Sequence, residues 1–125
     1  MRVLVDTHVV IWYLEGNQSL SKPRRQSIVD ANNDIFVSIA SLWEISIKIS
    51  AGKLKVSRSI SDIFHQLADQ SITVLPIMAG HVQVATLPFH HRDPFDRMII
   101  AQAQVEFLPI MTHDKAFADY GVKLL

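Results

Sequence analysis

Four carboxylates, Asp6, Glu44, Asp96 and Asp114, stand where an apolar strand gives way to a helix, or in the first turns of a helix. In a parallel α/β sheet such places lie along one edge, beyond the carboxyl ends of the strands. Like charges gathered there repel and destabilise the fold unless something positive sits between them. Carboxylate oxygens are the hard ligands that Mg²⁺ or Mn²⁺ prefers. Such an ion can make a nucleophile of a bound water and polarise a phosphoryl oxygen. The chemistry expected of these four acids, as metal ligands and catalytic groups together, is hydrolysis of a phosphodiester without a covalent enzyme intermediate.

A plainer reading competes with this one. Ser41-x-x-Glu44 has the form of a capping box, and Glu44 with Lys48 forms an i,i+4 ion pair of favourable orientation. Asp93 reads as an N-cap, Pro94 as the first helical residue and Asp96 as the third, where the helix dipole favours negative charge. Asp114 can cap the last helix. Caps of helices that follow parallel strands share an edge in any case, so convergence alone decides little. The plainer reading leaves the uniform charge unexplained, because Ser, Thr or Asn would cap without repulsion. Asp6 is the hardest to dismiss, since it ends the strand expected at the centre of the sheet, with Thr7 and His8 beside it.

The elements that must position these residues can be read in order. Arg2 to Val5 is a β-branched run that predicts a buried strand. Thr7 to Leu14 turns helical and is broken at Gly16 and Asn17. Ser21 caps a second helix with Pro23 in its first turn, running to Asp30. Ile35 to Val37 is a second strand. A helix capped by Ser38 or Ser41 follows, reaches about Ser50 and is closed by Gly52. Ser59 or Ser61 starts another helix through Ala68. Ile72 to Leu75 is a third strand, followed by a helix over about Ala79 to Ala85 and an irregular stretch, Leu87 to Arg92. The helix opened by Pro94 runs to about Phe107. Pro109 to Met111 is a fourth strand, Lys115 to Asp119 a short helix, and Val122 to Leu125 a last strand. Strands alternating with helices predict a three-layer α/β/α sandwich around a parallel sheet of four to five strands.

The chain has 125 residues, which suits one domain over 1–125, and its 49% hydrophobic content supplies a core rather than a disordered segment. No apolar run is long enough to span a membrane, and Asp6 and His8 interrupt the run that would otherwise mimic a signal peptide. A cytoplasmic protein is expected. With no cysteine, disulfides, thiolate zinc sites and a cysteine nucleophile are excluded. Lys+Arg and Asp+Glu are both 12, so the chain is not a generally basic nucleic-acid coat, although local RNA contact is compatible with that balance.

Four segments, LVDTHVVIWYLEG, SIASLWEISIKISAGKL, HHRDPFDRMIIAQA and MTHDKAF, each carry one of the acids. Together, and in this order, they resemble the PIN-domain family, most of all the VapC-type toxins of bacterial toxin–antitoxin pairs. The resemblance spans nearly the whole chain. It implies a compact α/β/α fold and a Mg²⁺- or Mn²⁺-dependent endoribonuclease whose acidic quartet is Asp6, Glu44, Asp96 and Asp114. It implies that Thr112 supports the site through its hydroxyl, and that Asp96, directly before Arg97, is the metal-site acid while Asp93 is the cap. It also implies a cognate antitoxin that blocks the site, and a homodimer.

Arg92, Arg97 and Lys48 are candidates for RNA phosphate contacts, with Lys53 and Lys55 beyond them. His90 and His91 read as surface or RNA-contact residues, and His8 and His113 flank the proposed site. Trp12, Tyr13 and Trp43 can stack bases, but their apolar faces favour core or interface packing. Two other readings remain open. One is a non-catalytic interaction module in which the acids only cap helices. The other is an aspartyl-phosphate receiver or phosphatase; against it, His8 stands where the phosphatase arrangement needs a second Asp.

Overall fold

The computed structural model describes residues 1–55, 57–88 and 93–125. Arg92, His90 and His91 therefore lie outside the described residues. Four strands, β1 (Arg2–Val5), β2 (Asp34–Ser38), β3 (Thr73–Leu75) and β4 (Ile110–Met111), form one sheet in the order β3-β2-β1-β4, all neighbours parallel. Between them lie α1 (Thr7–Glu15), α2 (Lys22–Val29), α3 (Ile39–Ser50), α4 (Ile60–Asp69), α5 (Ala79–Val84) and α6 (Pro94–Glu106), with a 3₁₀ helix at Lys115–Tyr120.

Strand alternation sorts the core into two layers. Val3 and Val5 point to one face, where they meet Val9 and Val10 of α1, Ile28 of α2, Leu42 and Ile45 of α3, and Ile63 and Leu67 of α4. Leu4 points to the other face and meets Ile99, Ile100 and Ala103 of α6 with Phe117. Ile110 and Met111 divide between the same two faces. Helices thus cover both faces of a parallel sheet, which explains why Val3, Leu4 and Val5 of β1 are apolar in succession. The expected three-layer α/β/α architecture is the observed one.

The chain runs outward from β1 through β2 to β3 and then returns across the sheet to β4 on the other side of β1. The direction reverses between β1 and β4, and in open α/β sheets the crevice at such a switch point is where ligands bind. The expected last strand is reduced to one parallel bridge of Leu124 with Ile110. Two backbone bonds hold it, Ile110 N–H to Lys123 O at 2.9 Å and Leu125 N–H to Ile110 O at 2.9 Å.

The start of α3 differs from one of its two expected forms. Ser38 is the N-cap, its hydroxyl accepting from the Ala40 N–H at 3.0 Å. Ser41 therefore lies inside the first turn, and its hydroxyl accepts from the Thr7 hydroxyl at 2.9 Å. The capping box read from Ser41 and Glu44 does not form, because the helix begins three residues earlier. At its other end α3 closes as expected, with Gly52 at φ +69°. Lys53 N–H donates to Lys48 O at 2.9 Å and Gly52 N–H to Ile49 O at 3.1 Å, the paired bonds of a Schellman motif.

Candidate active site

The carboxyl ends of β1 and β4 bring Asp6 and Thr112 together across 106 residues of chain. Asp6 is 4% exposed. One carboxylate oxygen, Oδ1, accepts from the Val9 N–H at 3.0 Å and so caps α1. The other, Oδ2, accepts from the Thr112 hydroxyl in a close contact. That hydroxyl in turn accepts from the Asp114 N–H at 3.0 Å. Thr112 is thus a relay that fixes the orientation of Asp6 and the backbone position of Asp114. An ionised carboxylate offers about four lone-pair sites, so each Asp6 oxygen retains acceptor capacity after these bonds.

Asp114 caps the 3₁₀ helix, its Oδ1 accepting from the Ala116 N–H at 3.0 Å. Asp93 caps α6, its Oδ1 accepting from the N–H groups of Phe95 at 2.8 Å and Asp96 at 3.2 Å. Asp96 occupies the first turn of α6. Asp6, Asp93 and Asp114 are therefore N-caps, as the plainer reading expected of Asp93 and Asp114 but not of Asp6. Glu44 is not. It sits in the second turn of α3, 6% exposed, with Oε2 paired to the Lys48 ammonium at 2.8 Å. Its other oxygen, Oε1, is buried and has no hydrogen-bond partner among the described residues. A buried acceptor left without a donor costs about 1–3 kcal/mol, and more when it is charged.

Asp6, Glu44, Asp96 and Asp114 all line one cavity of about 400 Å³, together with Asp93, Lys48 and Lys115. Among the described residues, no three His, Asp or Glu side chains are gathered tightly enough to hold an ion as they stand. The donor set is nevertheless of the kind a hard divalent cation takes, all carboxylate oxygen, and the unpartnered Glu44 Oε1 is an oxygen in search of a positive ligand. The residues present fit such an ion.

Other site candidates fall differently. Arg97, expected to contact RNA, is buried, and its guanidinium donates to the carbonyls of Ala85 (3.0 Å), Leu87 (2.7 Å) and Pro88 (3.0 Å). It pins the segment after α5 to α6, and that role replaces the expected one. Lys48 lines the cavity with its ammonium on Glu44. Trp43, whose apolar setting favoured core or interface packing, is 61% exposed and makes a T-shaped ring contact with Phe95, centroids 5.3 Å apart, so the core half of that expectation fails. Lys115 lines the cavity and was not read from the sequence as a member of the site, since it looked only like the start of a short helix. Ser41, which is not among the lining residues, looked like a cap and instead accepts from the Thr7 hydroxyl on the cavity wall.

A family model described as PIN domain matches residues 3–123. Among solved structures, VapBC2 from Rickettsia felis bound to a DNA fragment from its promoter is similar over 100% of this chain and 98% of that one, with a TM-score of 0.74 and 15% identity. VapBC-1 from nontypeable Haemophilus influenzae is similar over 100% and 97%, with a TM-score of 0.67 and 16% identity. FitAB bound to an IR36 DNA fragment is similar over 98% and 93%, with a TM-score of 0.64 and 18% identity. No curated protein matches the sequence. At these identities the solved structures speak for the fold.

Proposed function

This chain belongs to the PIN-domain family, and on that premise we propose that it is a metal-dependent endoribonuclease, the toxin of a toxin–antitoxin pair, acting in the cytoplasm as one domain over residues 1–125. The observation that carries the proposal is Glu44. Its carboxylate is buried at a position that capping does not explain, with one oxygen unpartnered among the described residues, on the cavity that Asp6, Asp96 and Asp114 also line. The Lys48 ion pair occupies one of its oxygens and leaves the other without a structural reason to be buried.

In this reading Asp6, Glu44, Asp96 and Asp114 hold Mg²⁺ or Mn²⁺. When bound, the ion supplies the positive charge that activates a water and offsets charge developing on the phosphate. Asp6 arrives oriented, because the Val9 N–H and the Thr112 hydroxyl hold one oxygen each. Lys48 and Lys115 stand on the cavity wall, where their ammonium groups can place the phosphate oxygens of RNA. Asp93 stays a cap on the rim.

The solved structures of similar fold include complexes named VapBC and FitAB, which supports an antitoxin as partner. We place the homodimer in the same proposal. No helix among the described residues is long and apolar enough to cross a membrane.

The test is direct. Purified protein should cut single-stranded RNA with Mg²⁺ or Mn²⁺, stop with EDTA, and lose the activity in Asp6→Asn while keeping its circular dichroism spectrum. Cleavage by Asp6→Asn at the parent rate would remove the mechanism. Manganese binding without cleavage of any RNA would leave the ion and remove the substrate.

A further inference from the structure

A second cavity of about 530 Å³ adjoins the acidic one and shares His8 and Lys48 with it. Its character is the opposite. Lys48, Lys53 and Lys55 line it against a single acid, Glu15. The lysines are placed by the backbone, since Lys53 N–H (2.9 Å) and Leu54 N–H (3.2 Å) both donate to Lys48 O and fold the chain back against the end of α3.

Three rings stand where the two cavities meet. His8 and Trp12 lie one helical turn apart on the same side of α1, 6.0 Å between centroids. His113, from the segment after β4, closes the group at 4.7 Å from Trp12 and 5.6 Å from His8. His8 and His113 are exposed, and Trp12 is half-buried against the core. Packing accounts for the inner side of Trp12 but not for two exposed imidazoles gathered around it.

We propose that the His8–Trp12–His113 cluster and the lysines beside it bind an unpaired nucleotide of single-stranded RNA next to the phosphate at the acidic cavity. The rings supply a stacking surface for the base, which is sequence-tolerant because every base has a π face. Lys53 and Lys55 take the flanking phosphates and leave Lys48 to the acidic side. Duplex RNA is excluded, since its bases are already stacked and paired. This inference rests on the ribonuclease reading above and names the form of RNA that reading requires.

The test uses tryptophan emission. The chain has two tryptophans, so Trp43→Phe leaves Trp12 as the sole reporter. In an Asp6→Asn, Trp43→Phe protein with Mn²⁺, a short single-stranded RNA should quench Trp12. Removing the bases from that oligomer should weaken binding about tenfold, as loss of one stacked base predicts. Lys53→Gln with Lys55→Gln should weaken binding and flatten its salt dependence by one to two lysine contacts' worth. Equal binding of abasic and intact oligomers overturns the proposal, as does equal binding of duplex. Equal quenching and competition by polyglutamate also overturns it and assigns the cavity to an acidic protein segment. If the Trp43→Phe protein cuts RNA while RNA leaves Trp12 emission unchanged, the subsite alone falls. If RNA is neither bound nor cut, the subsite and the RNA substrate fall together.

Discussion

Thr112 does more in this site than its hydroxyl's size implies. It is 2% exposed, donates to Asp6 and accepts from the Asp114 N–H, so one side chain satisfies groups from two acids. Thr112→Val keeps the shape and removes both bonds. The expected cost is about 1–3 kcal/mol in urea unfolding, from the Asp114 N–H and an Asp6 oxygen left without partners. RNA cleavage should fall with it, and Thr112→Ser should restore both. An unchanged midpoint in Thr112→Val would mean that the relay carries no energy. The residues of this site were legible in the sequence by their charge type: Asp6, Glu44, Asp96 and Asp114 do share a cavity. Arg97 was misread because a guanidinium beside a candidate metal acid looks like a phosphate clamp. Nothing in the sequence says that three carbonyls from the preceding segment will surround it.

The elements were legible almost throughout, because the strands are short apolar runs and most helices carry a capping residue where they begin. The exception with consequences is α3. Two serines competed for its cap, and the better sequence motif lost, since starting at Ser38 lets Ser41 meet Thr7 and leaves Glu44 deep in the helix. That shift removes the capping explanation for Glu44. Ser38→Ala should therefore destabilise the protein by about 1 kcal/mol, the usual cost of a lost N-cap, without change in the denaturant slope. A neutral result would return the cap to Ser41. His81 of α5 drew no notice in the sequence, yet it is fully buried, with Nδ1 accepting from the Met78 N–H at 2.9 Å and Nε2 2.9 Å from Glu106 at the end of α6. Lone histidines carry no periodic signal, so such a brace is visible only once the helices are placed.

Across the whole molecule, the zero net charge conceals a strong local imbalance. Five carboxylates line the candidate active site, out of 12 acidic residues in the chain. Concentrating them is unfavourable without a cation, so Mn²⁺ at 100 times its dissociation constant should stabilise the fold by about 2.7 kcal/mol and raise Tm by roughly 10 °C. Glu44→Gln should shrink that rise, as read by thermal unfolding with and without the ion. Equal shifts in the two proteins would exclude Glu44 from the metal site. The order of the strands carries a further consequence. Asp6 and its partner Thr112 lie 106 positions apart. A nascent chain that already carries Asp6 therefore lacks the hydroxyl that orients it until β4 and the residue after it have been made, so the site is completed by pairing across the chain rather than by any local segment.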